Sequence, residues 1–415
     1  MLPRIAADIL AARSHVHVAG WFFTPGLLLG ADGPTVGELL AETAERVPVR
    51  VLAWAGAPLP LFHPDRAEVR AMRDAIVRST KIEMALDPRE RPMHCHHEKL
   101  VVVDGRVAYV GGIDLTTYAG DRLDDGRHAS RGGIGWHDAA MRLEGPVVAD
   151  VAEHFRLRWR AVAGEVSPVE VPDAAGGRTV QVVRTVPENV YPGLARGEFT
   201  ILESYLRALR SAERLVYLES QFLWSTEVVS VLAEKLRNPP SDDFRVVVVL
   251  PAKPNNGSED TRGQVGVLVD ADEESGDDTS RFLACTLYQP GRGGVRIYVH
   301  AKIGIVDDRW LTIGSANLNE HSLFNDTEVN VVLDDPEIAR AARLRLWSEH
   351  LECATGDLDG DPTAVVDDMW RPRAETELAR RLRDGYVEHR VALLPHVSRR
   401  AQALWGPLSG LLVDG

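Results

Sequence analysis

The sequence contains few cysteines. The 415-residue chain has three, Cys95, Cys285 and Cys353, which are odd in number and far apart. This pattern indicates neither a disulfide framework nor a zinc site built from cysteines. It favours buried or free thiols in a reducing compartment.

Long apolar runs are also missing, and the first 23 residues do not have the pattern of a leader segment. No stretch of 18 apolar residues occurs, so the sequence predicts no transmembrane helix. Residues 1–23 lack the basic start, the continuous apolar core and the small-residue cleavage site of a signal peptide. They are predicted to form an amphipathic helix and then a strand. The expected location is the cytoplasm.

Basic residues are fewer than acidic ones, 47 against 61. The formal net charge is −14, whereas a protein that binds nucleic acid usually carries a basic footprint. Nucleic acid is therefore not the expected partner. The chain has only five lysines, and two of them, Lys99 and Lys302, occupy matched positions in a repeated motif. Since arginine is the usual cation here, these two positions suggest a need for a compact ammonium group.

The repeated motif has the pattern H-x-K-x4-D. Both copies are followed by a G-[GS]-x-[ND] tail, at 111–114 and 314–317, and all matched positions differ by 203 residues. Two copies in one register indicate an internal duplication. The motif residues are His97, Lys99 and Asp104 in the first copy and His300, Lys302 and Asp307 in the second.

The duplication and the alternation of strands with helices predict an α/β fold. We expect two similar lobes, each a mixed β-sheet flanked by helices, at residues 1–165 and 195–350. The Gly- and Pro-rich segment 161–197 is predicted to be a linker, and 351–415 a helical tail. Helices are expected at 5–13, 147–159, 199–210, 336–347 and 373–391, and strands at 15–23, 49–54, 214–222 and 244–250. Segments 121–136 and 254–280 are predicted to be loops, the second with a short helix at 261–270.

Alternation along a strand places the histidine and lysine of each motif on one face and the aspartate on the other. Asp104 and Asp307 belong to the motif and are counted with the catalytic set, but this geometry favours a structural role such as bonding nearby backbone. Two histidines can attack a phosphodiester and transfer protons. Two lysines can stabilise the phosphoryl oxygens. This chemistry needs no metal and no cofactor, and we expect its site at the pseudo-two-fold interface between the lobes.

The cluster at 94–97, His-Cys-His-His, invites a metal-site interpretation. Adjacent residues on a strand point in alternating directions, so these four cannot converge on one ion. The sequence therefore predicts no metal site there. Glu219 and Gln221 are expected to end a core strand near the active site.

The duplicated motif resembles the mark of the phospholipase D superfamily. Further similar segments are LESQF (218–222), AYVGGIDLT (108–116), GWHD (135–138) and IGSANLNEHSLFNDTEVNVV (313–332). The GGIDL and WHD pieces are most similar to the phosphatidylcholine-type branch. The resemblance implies a metal-free phosphodiesterase, or transphosphatidylase, that acts on a glycerophospholipid headgroup ester at a membrane surface as a peripheral monomer, with water or a small alcohol as acceptor.

The resemblance also implies roles for individual residues. His97 is the nucleophile and His300 the general acid, although pseudo-symmetry leaves the reverse order open. The implied supporting and substrate-binding residues are Asp138 and Glu328, which orient the histidines, and Lys99, Lys302, Asn317, Ser315, Gly112 and Asp114 around the phosphate. Asp114 cannot donate as a carboxylate, which puts its phosphate role in doubt. A cardiolipin synthase-type transferase is the alternative; a nuclease is disfavoured by the acidity of the chain.

Overall fold

The computed structural model describes residues 1–60, 62–117, 134–255, 258–276 and 280–395. The predicted loop at 121–136 therefore lies outside the described residues up to 133. The described part is a mixed α/β structure, so the predicted fold class is confirmed. No helix in these ranges is both long and apolar enough to span a bilayer.

The first half of the chain forms a six-stranded sheet with helices on it. The helices are α1 (Leu2–Leu10), α2 (Val36–Ala44), α3 (Arg66–Val77) and α4 (Val147–Ala163). The strands are β1 (Val16–Gly20), β2 (Val49–Trp54), β3 (Glu83–Asp87), β4 (Leu100–Val103), β5 (Val107–Gly111), β6 (Gly135–His137) and β7 (Ala140–Glu144). All of these strands except β6 belong to the first sheet, in the order β3-β2-β1-β4-β5-β7.

The second half of the chain contains the remaining helices and strands, and most of these strands form a larger sheet. Its helices are α5 (Thr200–Ser211), α6 (Thr226–Arg237), α7 (Ser258–Glu273), α8 (Pro336–Leu351), α9 (Pro362–Val365) and α10 (Arg371–Asp384), with a 3₁₀ turn at Thr355–Leu358 and π-helical turns at His321–Asn325 and Val366–Trp370. Its strands are β8 (Val180–Val186), β9 (Glu198–Phe199), β10 (Leu215–Glu219), β11 (Arg245–Val249), β12 (Phe282–Tyr288), β13 (Gly291–Arg292), β14 (Arg296–Val299), β15 (Ile303–Val306), β16 (Trp310–Gly314), β17 (Glu328–Asp334), β18 (Tyr386–Val387) and β19 (Val391–Leu393).

Strand order repeats between the two sheets. The second sheet contains the run β12-β11-β10-β15-β16-β17, which matches the complete first sheet strand for strand. In the first run β1 pairs in parallel with β2 and antiparallel with β4, the strand that follows the motif histidine. In the second run β10 pairs in the same way with β11 and β15. The sequence duplication therefore has a counterpart in topology.

Local sequence explains why the first helices form where they do. In α1, Leu2, Ile5 and Ile9 recur at helical spacing and are buried, so one face of the helix is apolar. Helix α2 begins with a capping box between Thr35 and Glu38, which satisfies backbone N–H groups that the first turn leaves unpaired.

One apolar core is continuous across both sheets. It includes Val102 and Val110 of the first sheet, Ile305 and Val331 of the second, and Phe155 of α4, all nearly inaccessible to solvent. Because this cluster holds the two sheets together, the segments that enter the two motif strands are brought to one place.

Most of the predicted loop 254–280 is helix α7. Two further sequence predictions are wrong in detail. The predicted linker 161–197 contains β8, which pairs with β17 along Val180–Thr185 of the second sheet. The predicted helix at 373–391 ends earlier, at Asp384, and β19 then adds to β12. In both segments a short apolar run pairs with the edge of a strand of the second sheet. That edge exists only in the folded chain, so the sequence pattern did not show it.

Candidate active site

The two motif histidines enter their strands through contacts with the opposite half of the chain. The backbone N–H groups of His97 and of the residue after it donate to the carbonyl of Thr327, each at 3.0 Å. The N–H groups of His300 and of the next residue donate to the carbonyl of His137, at 2.8 and 3.1 Å. The two halves are thus joined by a pair of equivalent backbone contacts at the motif itself.

The carboxylate that follows each of these carbonyls holds the histidine ring. His97 Nδ1 lies 2.9 Å from Glu328 Oε1, and His300 Nδ1 lies 2.8 Å from Asp138 Oδ2. An ionised carboxylate can only accept, so Nδ1 carries the proton and Nε2 is left for chemistry. Each histidine is therefore oriented by the acid that follows the other motif, a crossing that sequence spacing did not reveal.

Glu328 is itself supported by hydroxyl groups. Ser322 Oγ donates to Oε1 at 2.6 Å, and Ser315 Oγ donates to Oε2. Burial by itself raises the pKa of Glu328, but the charge and hydrogen bond of His97, together with Lys99 and Ser315, outweigh burial and lower it. Glu328 is therefore held ionised, as an acceptor of the His97 proton must be.

The two imidazoles face a common space. Their ring centroids are 6.5 Å apart with an interplanar angle of 68°. Trp136 packs beside His300 at a centroid distance of 4.9 Å and stacks on Tyr298 at 4.8 Å. Both histidines are at least nine-tenths buried.

The two motif lysines adopt the same arrangement but have different neighbours. Lys99 Nζ donates to the carbonyl of His97, and Lys302 Nζ donates to that of His300, each at 2.5 Å. Lys99 Nζ also lies 3.2 Å from Asp114 Oδ2, and both side chains are buried. Asp114 therefore offsets the charge of Lys99; its role in phosphate binding stays a prediction.

The matched position in the second half is occupied by Asn317, whose side chain is fully buried. An amide carries no charge, so it does not neutralise a lysine as Asp114 does. The two halves of the site consequently differ in the charge beside the motif lysine, although the strand order around them is the same.

Two residues assigned to substrate binding have other roles. The N–H of Gly112 donates to the carbonyl of Ala139 at 2.9 Å, and a Cβ at Gly112 would lie 2.2 Å from Asp138 Oδ1. Gly112 therefore makes room for Asp138. Ser315 directs its hydroxyl to Glu328 and its N–H to the carbonyl of Val329, so its donors are occupied.

The two motif aspartates, which the sequence counted with the catalytic set, bind backbone N–H groups in the structure. Asp104 accepts the N–H groups of Arg13, Ser14 and His15 at 2.7 to 3.1 Å. Asp307 likewise accepts from three consecutive N–H groups, at 213–215. Each aspartate comes seven residues after its histidine, at the far end of the four-residue strand β4 or β15. Both aspartates fasten the turn that leads into β1 or β10, as their place on the opposite strand face suggested.

A buried charged network behind Asp138 was largely missed. Glu219 accepts from His137 Nε2 at 2.6 Å, from His350 Nε2 at 3.0 Å and from Tyr217 Oη at 2.5 Å. Although burial by itself lowers the pKa of His137, Glu219, aided by Glu349, outweighs it and raises the pKa to about 10. Sequence had placed Glu219 near the site, but no local pattern linked it to His137 or His350.

This arrangement suits a two-step displacement at phosphorus. The ring centroids of two imidazoles are 6.5 Å apart, each imidazole has a carboxylate on Nδ1, and two ammonium groups lie alongside. One imidazole can attack while the other protonates the leaving oxygen.

A comparison with protein families finds one matching model. It is described as the PLD-like domain of cardiolipin synthase, and it matches residues 205–348. This segment holds the second motif together with Asn317 and Glu328. The remainder of the chain is outside that match.

Similarity to characterised sequences extends over most of the chain. Phospholipase D alpha 4 of Arabidopsis thaliana is 26% identical over 82% of this chain and 62% of its own length. Phospholipase D A of Dictyostelium discoideum is 24% identical over 83% of this chain and 34% of its own length. The chain thus spans less than two thirds of these relatives.

Among solved structures, a phosphatidylserine synthase from Haemophilus influenzae Rd KW20 shares the fold. It superimposes with a TM-score of 0.59 at 12% sequence identity, covering 92% of this chain and 90% of that one. At this identity the likeness concerns the fold alone.

Proposed function

The chain belongs to the phospholipase D superfamily, and on that premise we propose that it cleaves the headgroup ester of a glycerophospholipid through a phosphohistidine intermediate. Similarity to this superfamily supports an enzymatic activity on phosphodiesters or the transfer of phosphatidyl groups. The lipid substrate, the order of steps and the acceptor are proposals. The protein would bind the membrane peripherally, at its surface.

The first step forms a P–N bond and breaks a P–O bond. His97 Nε2 attacks phosphorus, and His300, protonated on Nε2, gives its proton to the leaving headgroup oxygen. Lys99 and Lys302 lie where they can stabilise the charge on the nonbridging oxygens. The products of this step are the free headgroup alcohol and a phosphatidyl group on His97.

The second step reverses these roles. His300, now neutral on Nε2, removes a proton from water or a small alcohol, whose oxygen attacks phosphorus and displaces His97. Water gives phosphatidic acid, and an alcohol gives a new phosphatidyl ester.

The observation that carries this proposal is the crossed pairing of His97 with Glu328 and of His300 with Asp138, with the two rings 6.5 Å apart. Each half supplies one histidine and the acid of the other. The site is complete only when the halves meet, as a two-histidine mechanism requires.

The second candidate is a phosphatidyltransferase. It is favoured by the family model matched at 205–348, which bears the name of cardiolipin synthase. The two candidates share the first step and differ only in which acceptor resolves the intermediate.

A headgroup-release assay tests the proposal. Phosphatidylcholine, phosphatidylethanolamine and phosphatidylglycerol vesicles and plasmid DNA are each incubated with the wild-type chain and with His97→Ala. We expect headgroup release from a lipid, none from the variant, and no cleavage of DNA. Cleavage of DNA with no release from any of these lipids would replace the lipid proposal by a nuclease.

A further inference from the structure

Three side chains with metal-binding groups meet beside the active site, outside the machinery described above. His94 Nδ1 lies 2.9 Å from His321 Nδ1 and 3.6 Å from Asp326 Oδ1. These nitrogens and the carboxylate oxygen all lie within 4.8 Å of one another. His94 comes from the first half of the chain and the other two residues from the second.

The two facing nitrogens are chemically alike, and one proton can join them when one ring donates and the other accepts. In neutral imidazoles only one of two facing Nδ1 atoms can carry the shared proton, and two protonated rings would repel each other. A divalent cation uses both nitrogens and the carboxylate oxygen as acceptors at once. Two imidazoles and a carboxylate suit Zn²⁺ and similar transition metals, whereas Mg²⁺ and Ca²⁺ prefer oxygen ligands.

Neighbouring contacts hold the donors in position. Asp326 Oδ1 accepts the backbone N–H of Cys95 at 2.8 Å, which fixes the carboxylate. The π-helical turn His321–Asn325 is closed by the N–H of Asp326, which donates to the carbonyl of His321 at 2.7 Å. Trp224 packs edge-on to the His321 ring at 6.2 Å. Outer contacts of this kind orient ligands in metal sites, and π-helical turns are frequent at functional positions.

Burial and access also fit. The side chains of Asp326 and His321 are almost completely buried, while that of His94 is 15% exposed and gives an ion a route from solvent. His97 is not a donor here because its Nδ1 is engaged by Glu328.

A second cluster with similar residue types lacks these properties. In the group His137, Glu219 and His350, both histidines donate to the one carboxylate, and Tyr217 donates to it as well. That group is a self-sufficient ion-pair network, whereas the Nδ1 atoms of His94 and His321 face each other directly.

We propose that His94, His321 and Asp326 bind one Zn²⁺ ion, with remaining coordination positions filled by water or another donor. The ion would join the two halves next to the point where Thr327 binds the His97 backbone and Glu328 binds its ring. Its role is to fix this joint, and the displacement at phosphorus takes place without it. The sequence prediction against a metal at 94–97 compared adjacent residues only, while two of these donors come from 227 and 232 residues further along.

The first test measures binding by the tag-free, EDTA-treated and desalted full-length chain, using Zn²⁺ in competition with a chromophoric chelator. We expect one equivalent bound by the wild type. His94→Ala and His321→Gln should each weaken affinity by at least about tenfold. His63→Gln is the matched control, because His63 is an exposed histidine paired with Glu68, and it should bind as the wild type does. Absence of a one-equivalent site, or equal affinity in all four proteins, would overturn the proposal.

The second test reads geometry and stability. Co²⁺ in place of Zn²⁺ should give the intense visible bands of a nitrogen- and oxygen-bound tetrahedral or five-coordinate ion in the wild type and in His63→Gln. At the same concentration, Zn²⁺ should raise the melting temperature of these two proteins by more than that of His94→Ala. His94 is partly exposed, so this variant should fold; a shift in it equal to that of the wild type would place the ion elsewhere and end the proposal. None of these readouts uses phosphodiester cleavage, so they stand or fall separately from the proposed function.

Discussion

At the scale of single residues, the chemistry depends on two imidazole nitrogens whose partners are fixed. His97 and His300 each have Nδ1 engaged by a carboxylate and a backbone N–H engaged across the chain halves. Their Nε2 atoms are consequently the groups that reach a phosphodiester. Loss of either histidine removes one of the two groups that the proposed displacement needs.

We expect His97→Ala and His300→Ala each to reduce turnover to the background, because residues that act as one unit fail together. With a substrate whose leaving group needs no proton, His300→Ala should still accumulate a phosphoenzyme, detectable by mass spectrometry on His97. An adduct on His300 in the His97→Ala chain would reverse the two roles.

The orienting carboxylates are expected to matter nearly as much. Glu328→Gln and Asp138→Asn each replace an acceptor by an amide that can present the wrong group to Nδ1, so kcat should fall by about 10²–10⁴-fold. Asp104→Asn is the control, since Asp104 bonds backbone far from phosphorus. It should leave kcat within about twofold and cost about 1 kcal/mol of unfolding free energy, as loss of a capping acceptor does. Steady-state kinetics and urea unfolding separate these outcomes.

At the scale of elements, the site depends on how segments that precede strands approach one another. β6 pairs in parallel with β14, with His137 opposite Val299, and a single parallel bridge joins His96 to Thr327. Both contacts cross from one half of the chain to the other. The chain after β5 needs a residue without a side chain, Gly112, where it passes Asp138 next to the contact between β6 and β14.

The Gly112 position tests this requirement. In Gly112→Ala the added methyl would lie 2.2 Å from Asp138 Oδ1, so Asp138 must move away from His300. We expect kcat to fall by about tenfold or more, with a smaller change in KM. Gly356→Ala, where a Cβ meets nothing within 4 Å, should behave as the wild type. Equal kcat in the two variants would show that Asp138 does not need its present position.

The network that joins β6, β10 and α8 predicts a pH-dependent stability. The pKa of His137 is about 10 in the folded chain, above the usual value of 6.5, so the stabilisation from its protonated form is complete below about pH 6.5 and is lost as the pH rises towards 10. The slope contributed by His137 is at most about 1.4 kcal/mol per pH unit. Urea unfolding across this range should give a steeper decline for the wild type than for His137→Gln. Parallel curves would contradict a charged His137.

At the scale of the whole molecule, two halves with the same strand order enclose one site. Neither half carries a histidine together with the acid that orients it. The net charge of −14 adds a further property, because an acidic surface is repelled by anionic bilayers at low salt. Zwitterionic lipid should for this reason be the better substrate.

The proposed intermediate determines the products and the stereochemistry. Because the headgroup leaves before the acceptor enters, adding a primary alcohol should yield a phosphatidyl-alcohol at the expense of phosphatidic acid. Two in-line displacements each invert phosphorus, so a chiral thiophosphate substrate should give net retention. Net inversion would mean direct attack by water and would rule out the covalent histidine.

The sequence by itself determined the class of fold and the residue types of the site. Apolar patterns placed β2 at its observed bounds and located α1, α5 and α8 to within a few residues. In α1 and α5 the apolar residues recur at helical spacing and are buried, and β2 is a short buried run rich in Val and Leu. The constant offset of the two motifs identified the duplication, since repeated spacing is a property of the chain alone.

Only the tertiary structure decided which groups meet. The pairing of His97 with Glu328 spans 231 residues, and the meeting of Lys99 with Asp114 depends on how the loop after β5 folds back. The same holds for β8 and β19, which add to a sheet whose edges exist only after the other strands have assembled. Local spacing records which face a side chain occupies, whereas contacts between distant segments depend on packing, whose energy is shared by residues far apart in sequence.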